Sequence, residues 1–293
     1  MGTADVQALT STQIGSMRTS DVNELSTDQV QALTTAQIRA LTSSQLNGMA
    51  DATVQALTST ELQALTTAQA QSLTAAMLNK LTSDQVGMLN STTVTALNTT
   101  ALSTLVVEQL NALTSTQVQA LSSTQVQALT TAQLSTVSST QLENLSSAQV
   151  RVLTTAQLNG LDDVNLQALG SADMQALTTV QVSALTSAQV NKLSTGAEGQ
   201  LAALTTVQAQ SLTTSQLNGL SAEGLGSLTT AVVRALTTAQ VEKLAVGQLN
   251  LLSADQVQAL SSTQVKALTT AQVAGMDEDR IEYLGSAQVQ ALT

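Results

Sequence analysis

Residues 33–40 read Leu-Thr-Thr-Ala-Gln-Ile-Arg-Ala, and residues 113–120 read Leu-Thr-Ser-Thr-Gln-Val-Gln-Ala. This eight-residue unit, the octad, recurs along nearly the whole chain. Positions 1 and 6 are apolar in every octad, usually Leu at the first and Val, Leu or Ile at the second. Such regularity indicates a repeating structural unit that buries the same two positions each time.

The octads fall into two runs. The first run covers 1–192 with 24 octads, and the second covers 204–293 with 11 octads and a partial one. An irregular eleven-residue unit, 193–203, lies between them. The sequence therefore predicts one repeat architecture, interrupted once and then continued.

Two architectures compete for this pattern. A single long α-helix is excluded, because eight residues turn a helix by about 800°, so the apolar positions would wind around it. A chain of very short helices and a β-solenoid remain. Positions 4 to 8 alternate between apolar and polar residues as a strand does, which keeps the β-solenoid open as the alternative.

The polar residues of the octad favour short helices. Thr34 and Gln37 have the spacing of a capping box, in which the hydroxyl accepts the N3 amide and the Gln side chain accepts the N-cap amide. Leu33 and Ile38 are then the two partners of a hydrophobic staple. One helix start per octad thus explains both apolar positions.

Charges are also ordered along the octad. Of the 20 acidic residues, 15 lie at positions 2 to 5, and of the nine basic residues, seven lie at positions 7 or 8. A helix dipole favours acids at its start and bases at its end, whereas a strand has no comparable polarity. The charge order therefore supports helices over strands.

Helices of about six residues are too short to be stable alone, so the octads must stack on one another. The predicted fold is all-α: a compact α-solenoid, or superhelix, of very short capped helices, one per octad. We expect positions 1, 6 and 8 to face a shared axis and positions 2, 3, 5 and 7 to face outward. The number of octads in one coil does not follow from the sequence.

Composition argues against several classes of function. The chain has no His and no Cys, which removes the commonest general base and the thiolate ligands of metals. Its net charge of −11, with nine scattered basic residues, argues against nucleic acid as a partner. No apolar run is long enough for a membrane span. We predict no enzyme activity, no cofactor, no catalytic or metal residue and no small-molecule substrate.

Two segments are candidates for a functional site. The eleven-residue unit 193–203 places Glu198 where an apolar residue is expected and flanks it with Gly196 and Gly199. A tolerated insertion that forms an irregular turn explains it better than a hinge or docking loop. The acids Asp277, Glu278, Asp279 and Glu282 do not have the spacing of a calcium loop, and acids at helix starts explain them.

The paired Thr residues at positions 2 and 3 raise a remote alternative. On a flat β-solenoid face, a Thr ladder resembles those of ice-binding proteins. Adjacent residues such as Thr34 and Thr35 would point to opposite sides of a strand, however. On the helical interpretation the first hydroxyl is already used in capping.

Octads such as LTTAQIRA at 33–40 and LTTAQVEK at 236–243 resemble octapeptide-repeat regions of large secreted or surface proteins of bacteria. This resemblance implies an extracellular structural or adhesive segment without catalytic residues. The octads also resemble the first residues of the TAL-effector repeat, but they lack its Pro, its longer period and its base-reading loop. DNA binding is therefore not implied.

The sequence predicts a non-enzymatic repeat module that serves as a spacer, stalk or scaffold in a larger bacterial secreted or surface protein. The alternative is a protein-interaction solenoid whose polar Gln, Thr and Asn face binds a protein partner.

Overall fold

The computed structural model describes residues 1–292 and consists of short helices joined by tight turns. Each octad forms one helix of four to six residues, and the described residues contain no strand. The all-α prediction is therefore confirmed and the β-solenoid alternative is wrong. The eleven-residue unit 193–203 forms no helix.

The chain divides into two compact units, the first comprising Met1–Val152 and the second beginning at Leu153. The helices of unit 1 are α1 (Thr3–Ala8), α2 (Ser11–Ser16), α3 (Thr19–Asn23), α4 (Thr27–Gln31), α5 (Thr35–Ala40), α6 (Ser43–Asn47), α7 (Asp51–Gln55), α8 (Ser59–Ala64), α9 (Thr67–Ser72), α10 (Ala75–Leu78), α11 (Ser83–Met88), α12 (Ser91–Ala96), α13 (Thr99–Ser103), α14 (Val107–Asn111), α15 (Ser115–Ala120), α16 (Ser123–Ala128), α17 (Thr131–Thr136), α18 (Ser139–Glu143) and α19 (Ser147–Arg151). The helices of unit 2 are α20 (Thr155–Asn159), α21 (Asp163–Ala168), α22 (Ser171–Ala176), α23 (Thr179–Ala184), α24 (Ser187–Val190), α25 (Thr206–Ser211), α26 (Thr214–Gly219), α27 (Ala222–Gly226), α28 (Thr230–Ala235), α29 (Thr238–Glu242), α30 (Val246–Leu249), α31 (Ala254–Ala259), α32 (Ser262–Lys266), α33 (Thr270–Gly275), α34 (Glu278–Glu282) and α35 (Ser286–Ala291).

The predicted start of each helix is found in most octads. In α5, Thr34 is the N-cap: its hydroxyl accepts the Gln37 amide at 3.3 Å, and Gln37 Oε1 accepts the Thr34 amide at 2.8 Å. Leu33 and Ile38, the predicted staple partners, are both buried. Each helix ends where the backbone becomes extended, as at Leu41 and Leu73, or at one residue with αR dihedrals just before the next Leu, as at Ala32.

Within each unit, a helix packs on the helix three octads further along the chain. In unit 1, α2 packs on α5, α5 on α8, and α12 on α15. In unit 2, α25 packs on α28 and α28 on α31. Where the eleven-residue unit replaces a helix, the partners are α23 with α25 and α24 with α26. The stacked arrangement expected of a solenoid is thus present in each unit.

Positions 1 and 6 form the interior of each unit. Leu41 and Leu46 are representative, with 3% and 1% of their surfaces exposed. The prediction for position 8 is wrong, because most residues there, such as Ala32 and Ala40, are only half-buried. The third interior position is position 5, which is occupied by Gln.

Candidate functional site

The Gln at position 5 is buried and makes hydrogen bonds in two directions. Gln69 is 5% exposed. Its Oε1 accepts the Thr66 amide at 2.8 Å, which caps α9. Its Nε2 donates to the carbonyl oxygens of Ile38 and Leu41, both at 2.8 Å, in the preceding coil. One side chain therefore caps the N-terminus of its own helix and also bonds to the preceding coil.

The same arrangement recurs in both units, and we call these residues the glutamine ladder. Each member is buried and donates to two carbonyl groups of the preceding coil. The members are Gln37, Gln45, Gln69, Gln85, Gln117, Gln125, Gln133 and Gln149 in unit 1, and Gln200, Gln208, Gln216, Gln240, Gln256, Gln264, Gln272 and Gln288 in unit 2.

The ladder sets the size of a coil. Its bonds usually span 28 and 31 residues, as from Gln69 to Leu41 and to Ile38. A span of 28 residues is three and a half octads, so each Gln lies over the junction between two octads of the preceding coil. The expectation that position 5 faces outward is wrong. A buried amide is stable here because both its donor and its acceptor atoms are bonded.

Asparagines at position 7 bind in the opposite direction, toward the following coil. Asn47 Nδ2 donates to the Ser72 carbonyl at 2.8 Å, and Asn47 Oδ1 accepts the Thr74 amide at 2.8 Å. We call the residues whose Oδ1 accepts an amide in this way the asparagine clamps. They are Asn23, Asn47, Asn79, Asn111, Asn191, Asn218 and Asn250.

The amides that the clamps accept all belong to N-cap residues of helices without a capping box. These helices are α7, α10, α14, α18, α27, α30 and α34. Asn159 is the one position-7 Asn outside the set, and Thr186, which follows it by 27 residues, has its own capping box with Gln189. The clamps thus supply an acceptor where a helix does not use its own.

Three of the helices that receive a clamp also carry a Gln at position 5. Because the clamp takes the N-cap amide, the Oε1 of this Gln is buried and has no hydrogen-bond partner within residues 1–292. We call these residues the unpaired glutamines: Gln109 in α14, Gln141 in α18 and Gln248 in α30. An unsatisfied buried acceptor is unfavourable, so these are weak points of the interior.

The eleven-residue unit keeps the ladder without a helix. Ser194 and Gln200 exchange the two capping bonds, at 3.0 and 2.9 Å, although they are six residues apart. Gln200 Nε2 donates to the Leu166 carbonyl at 2.8 Å, across 34 residues. Leu201, fully buried, occupies position 6 of this unit. The placement of Glu198 at an apolar position is therefore wrong, since Glu198 lies in three extra residues and is exposed.

Two glycines allow the backbone conformation of this irregular turn. Gly196 has a φ of 90°, which side chains other than Gly rarely adopt. A Cβ at Gly199 would lie 2.5 Å from the Thr195 carbonyl oxygen. Gly196 donates its amide to Ser227 Oγ at 2.9 Å, and Thr195 Oγ1 donates to Glu223 Oε1 at 2.6 Å. The turn is thus tied to α27 in the next coil.

The turn also lines two open clefts within unit 2. One, of about 190 Å³, lies between Ala197 to Ala203 and Ser171 and Gln175 of α22. The other, of about 380 Å³, lies between the turn and the residues around Thr229 and Asp255. Both are shallow and lined largely by small side chains.

Titratable groups form a few ion pairs in the part of the chain described. Within residues 1–292, no three acidic residues are close enough together to hold a metal ion, and this includes the acids of α34. The pKa of Lys192 is raised by its hydrogen bond to Asp163 and by the charge of that residue. The pKa of Asp21 is lowered, chiefly by the hydrogen bond from Arg18. Both pairs are on the surface.

The model of the ALTTAQ repeat matches residues 1–35, 164–196, 242–277 and 262–293. These segments match the ALTTAQ repeat, which confirms the resemblance to LTTAQ-type octapeptide repeats. The occurrence of the repeat in a larger bacterial protein stays a prediction. No curated protein matches the chain. Among the described helices, none has the length and apolar character that crossing a bilayer requires.

Proposed function

We propose that the chain is a non-enzymatic structural module that serves as a spacer, stalk or scaffold. The observation that carries this proposal is that the recurrent polar side chains form hydrogen bonds within the repeat itself. The Ser or Thr at position 2 and the Gln at position 5 are committed to capping and to the ladder in both units. A repeat whose polar residues bind its own neighbours is suited to building length.

Removal of whole octads tests the proposal. Deletion of residues 81–136 removes seven octads, or two coils, and joins Lys80 to Val137 without disturbing the octad pattern. We expect the shortened chain to keep the same helical signal per residue by circular dichroism. Its largest dimension in small-angle X-ray scattering should fall in proportion to the residues removed.

A deletion of residues 81–132 provides the control, because it removes about six and a half octads, including Thr130, and so leaves Gln133 without its capping partner and the later octads half a unit out of register with the preceding coil. This variant should lose cooperative melting. A spacer role is contradicted if the deletion of 81–136 leaves the largest dimension unchanged. It is also contradicted if the intact chain shows saturable binding of a small molecule that the deletion abolishes.

A second candidate function, protein interaction, is favoured by the two clefts beside the eleven-residue unit. Deletion of residues 196–198 converts this unit into the octad Leu-Ser-Thr-Gly-Gln-Leu-Ala-Ala, which keeps the ladder residues and removes the irregular turn. Saturable binding of a protein partner that is lost in this variant, with folding unchanged, would support the interaction role over the spacer role.

The cellular setting belongs to the same proposal. The resemblance to repeats of large secreted and surface proteins supports an extracellular location on a bacterium. Antibodies raised against the repeat should label intact cells of the source organism. Labelling only after the cells are permeabilised would contradict this location.

A further inference from the structure

The N-cap amide of α18 uses one acceptor, and its helix carries a second potential acceptor at the usual capping position. Ser138 donates its amide to Asn111 Oδ1 of the preceding coil at 2.8 Å. Gln141, three residues later, is at the position whose Oε1 accepts the N-cap amide in helices with a capping box. The Oε1 of Gln141 is buried and unpartnered within residues 1–292.

Helices α14 and α30 repeat this arrangement. Val106 donates its amide to Asn79 Oδ1 at 3.1 Å, and Ala245 donates its amide to Asn218 Oδ1 at 2.8 Å. Each helix carries an unpaired glutamine at the third residue after its N-cap. The arrangement therefore occurs twice in unit 1 and once in unit 2.

Other clamped helices have no such second acceptor. In α10 the third residue after the N-cap is Met77, and in α7 it is Thr53. When a clamp leaves the N-cap of α10, the Thr74 amide has no side-chain acceptor in its own helix. At α18 the Ser138 amide can instead donate to Gln141 Oε1. This side-chain oxygen, which has no partner while the clamp is in place, then gains one.

We propose that α14, α18 and α30 are release points, at which a coil separates from the preceding coil more easily than elsewhere. Separation there breaks the bonds that the Nε2 of each unpaired glutamine donates to the preceding coil. The N-cap amide, however, exchanges one acceptor for another, and a buried Oε1 that had no partner gains one. At α7 and α10 the N-cap amide loses its acceptor and has no Gln at the capping position to replace it. The inference concerns the order in which coils open and does not depend on the proposed spacer role.

The packing near α14 and α18 supports the same order. A cavity of about 30 Å³, roughly the space of one water molecule, is lined by apolar side chains that include Leu110, Leu113, Leu142 and Leu145. Gln141 also lines it. Interior atoms beside a cavity lose van der Waals partners, so separation at this place breaks fewer favourable contacts.

Single introduced thiols measure opening directly, because the chain contains no Cys. Leu142 in α18 and Leu46 in α6 are each 1% exposed at the same octad position, so Leu142→Cys and Leu46→Cys form a matched pair. Under native conditions we expect the thiol at position 142 to react with a disulfide reagent about tenfold faster. Equal rates, or faster reaction at position 46, would overturn the proposal.

A second pair of variants tests the exchange of acceptors. Asn111→Gln in the Leu142→Cys protein removes the clamp but lets Gln141 accept the Ser138 amide, so labelling should change by less than about threefold. Asn47→Gln in the Leu78→Cys protein leaves the Thr74 amide without an acceptor, so labelling should accelerate by about tenfold. Equal acceleration in both would show that Gln141 is no alternative acceptor.

Amide hydrogen exchange of the unmodified chain measures the same order of coil opening and needs no substitution in the interior. Peptides that cover 138–145 should exchange faster than those that cover 42–49. The reverse order would overturn the proposal even if a Cys variant failed to fold.

Discussion

Gln69 in an ordinary octad and Gln200 in the eleven-residue unit make the same kinds of hydrogen bond in very different backbones. Gln69 belongs to α9, and its capping partner Thr66, the N-cap of that helix, is three residues earlier. Gln200 lies in an irregular turn, and its partner Ser194 is six residues earlier. Both donate to two carbonyls of the preceding coil. The coil interface therefore depends on the buried Gln, its hydroxyl partner and the two apolar residues more than on the helix itself.

The largest expected effect tests this equivalence. Gln69→Ala and Gln200→Ala should each destabilise the fold by about 3–5 kcal/mol, because each leaves one backbone amide and two carbonyls without partners. Chemical denaturation followed by circular dichroism measures the loss. Gln71→Ala, an exposed position in the same octad as Gln69, is the control and should cost less than about 0.5 kcal/mol. A loss at Gln200 far below that at Gln69 would break the comparison.

A smaller effect is expected from the glycines that allow the irregular turn. Gly199→Ala places a Cβ against the carbonyls of Thr195 and Ser194, at 2.5 and 2.6 Å, and should cost about 2–3 kcal/mol. Gly226→Ala is the matched control, because a Cβ there meets no atom within 4 Å. Thermal melting of the two variants compares them. Equal melting temperatures would show that the turn relaxes freely.

Deletion of residues 196–198 tests the comparison by converting the eleven-residue unit into an ordinary octad. The resulting octad should fold as a helix, and the ladder bonds of Gln200, Gln208 and Gln216, which now span 31 and 34 residues, should return to spans of 28 and 31. Loop shortening changes the free energy of unfolding little, so we expect a difference within about 1 kcal/mol. A crystal structure and a denaturation curve check both points. Unfolding of unit 2 would show that the insertion is required.

The smallest effect concerns the ion pair just before the irregular unit. Asp163 raises the pKa of Lys192 in the folded chain. Lys192 therefore contributes stability below its ordinary pKa, and this contribution is lost as the pH rises through the raised value. Both side chains are exposed, so the effect is slight. Melting of Lys192→Met and of the unmodified chain should differ at neutral pH and converge toward about pH 11. A constant difference over that range would contradict the pairing.

Local features of the octad were predictable, because they depend on neighbours in sequence. Thr34 and Gln37 identify the cap, and Leu33 and Ile38 identify the staple. The inward position of Gln37 was missed, since its second function involves a coil that lies 28 to 31 residues away. The number of octads in a coil depends on the angle between successive helices, and the eight-residue pattern does not predict that angle.

One signal in the sequence could have revealed part of the coil interface. Position-7 asparagines precede unusual N-caps by 27 residues, as Asn23 precedes Ala50 and Asn79 precedes Val106. An apolar residue at a position that normally holds Ser or Thr, repeatedly preceded by Asn at one fixed distance, indicates a contact at that distance. The eleven-residue unit was misaligned for a related reason. Its octad residues are Ser194, Gln200 and Leu201, and the insertion lies between the first two.

The half-octad offset of the ladder bears on how such a gene can change in length. Each Gln meets the junction between two octads, and one junction is chemically much like another. Slippage during replication that adds or removes one unit would leave every rung with a suitable pair of carbonyls. The asparagine clamps are less permissive: one unit gained between Asn47 and Thr74 would carry that amide beyond the reach of its acceptor. Clamped spans should therefore resist copy-number variation, while the spans between them drift.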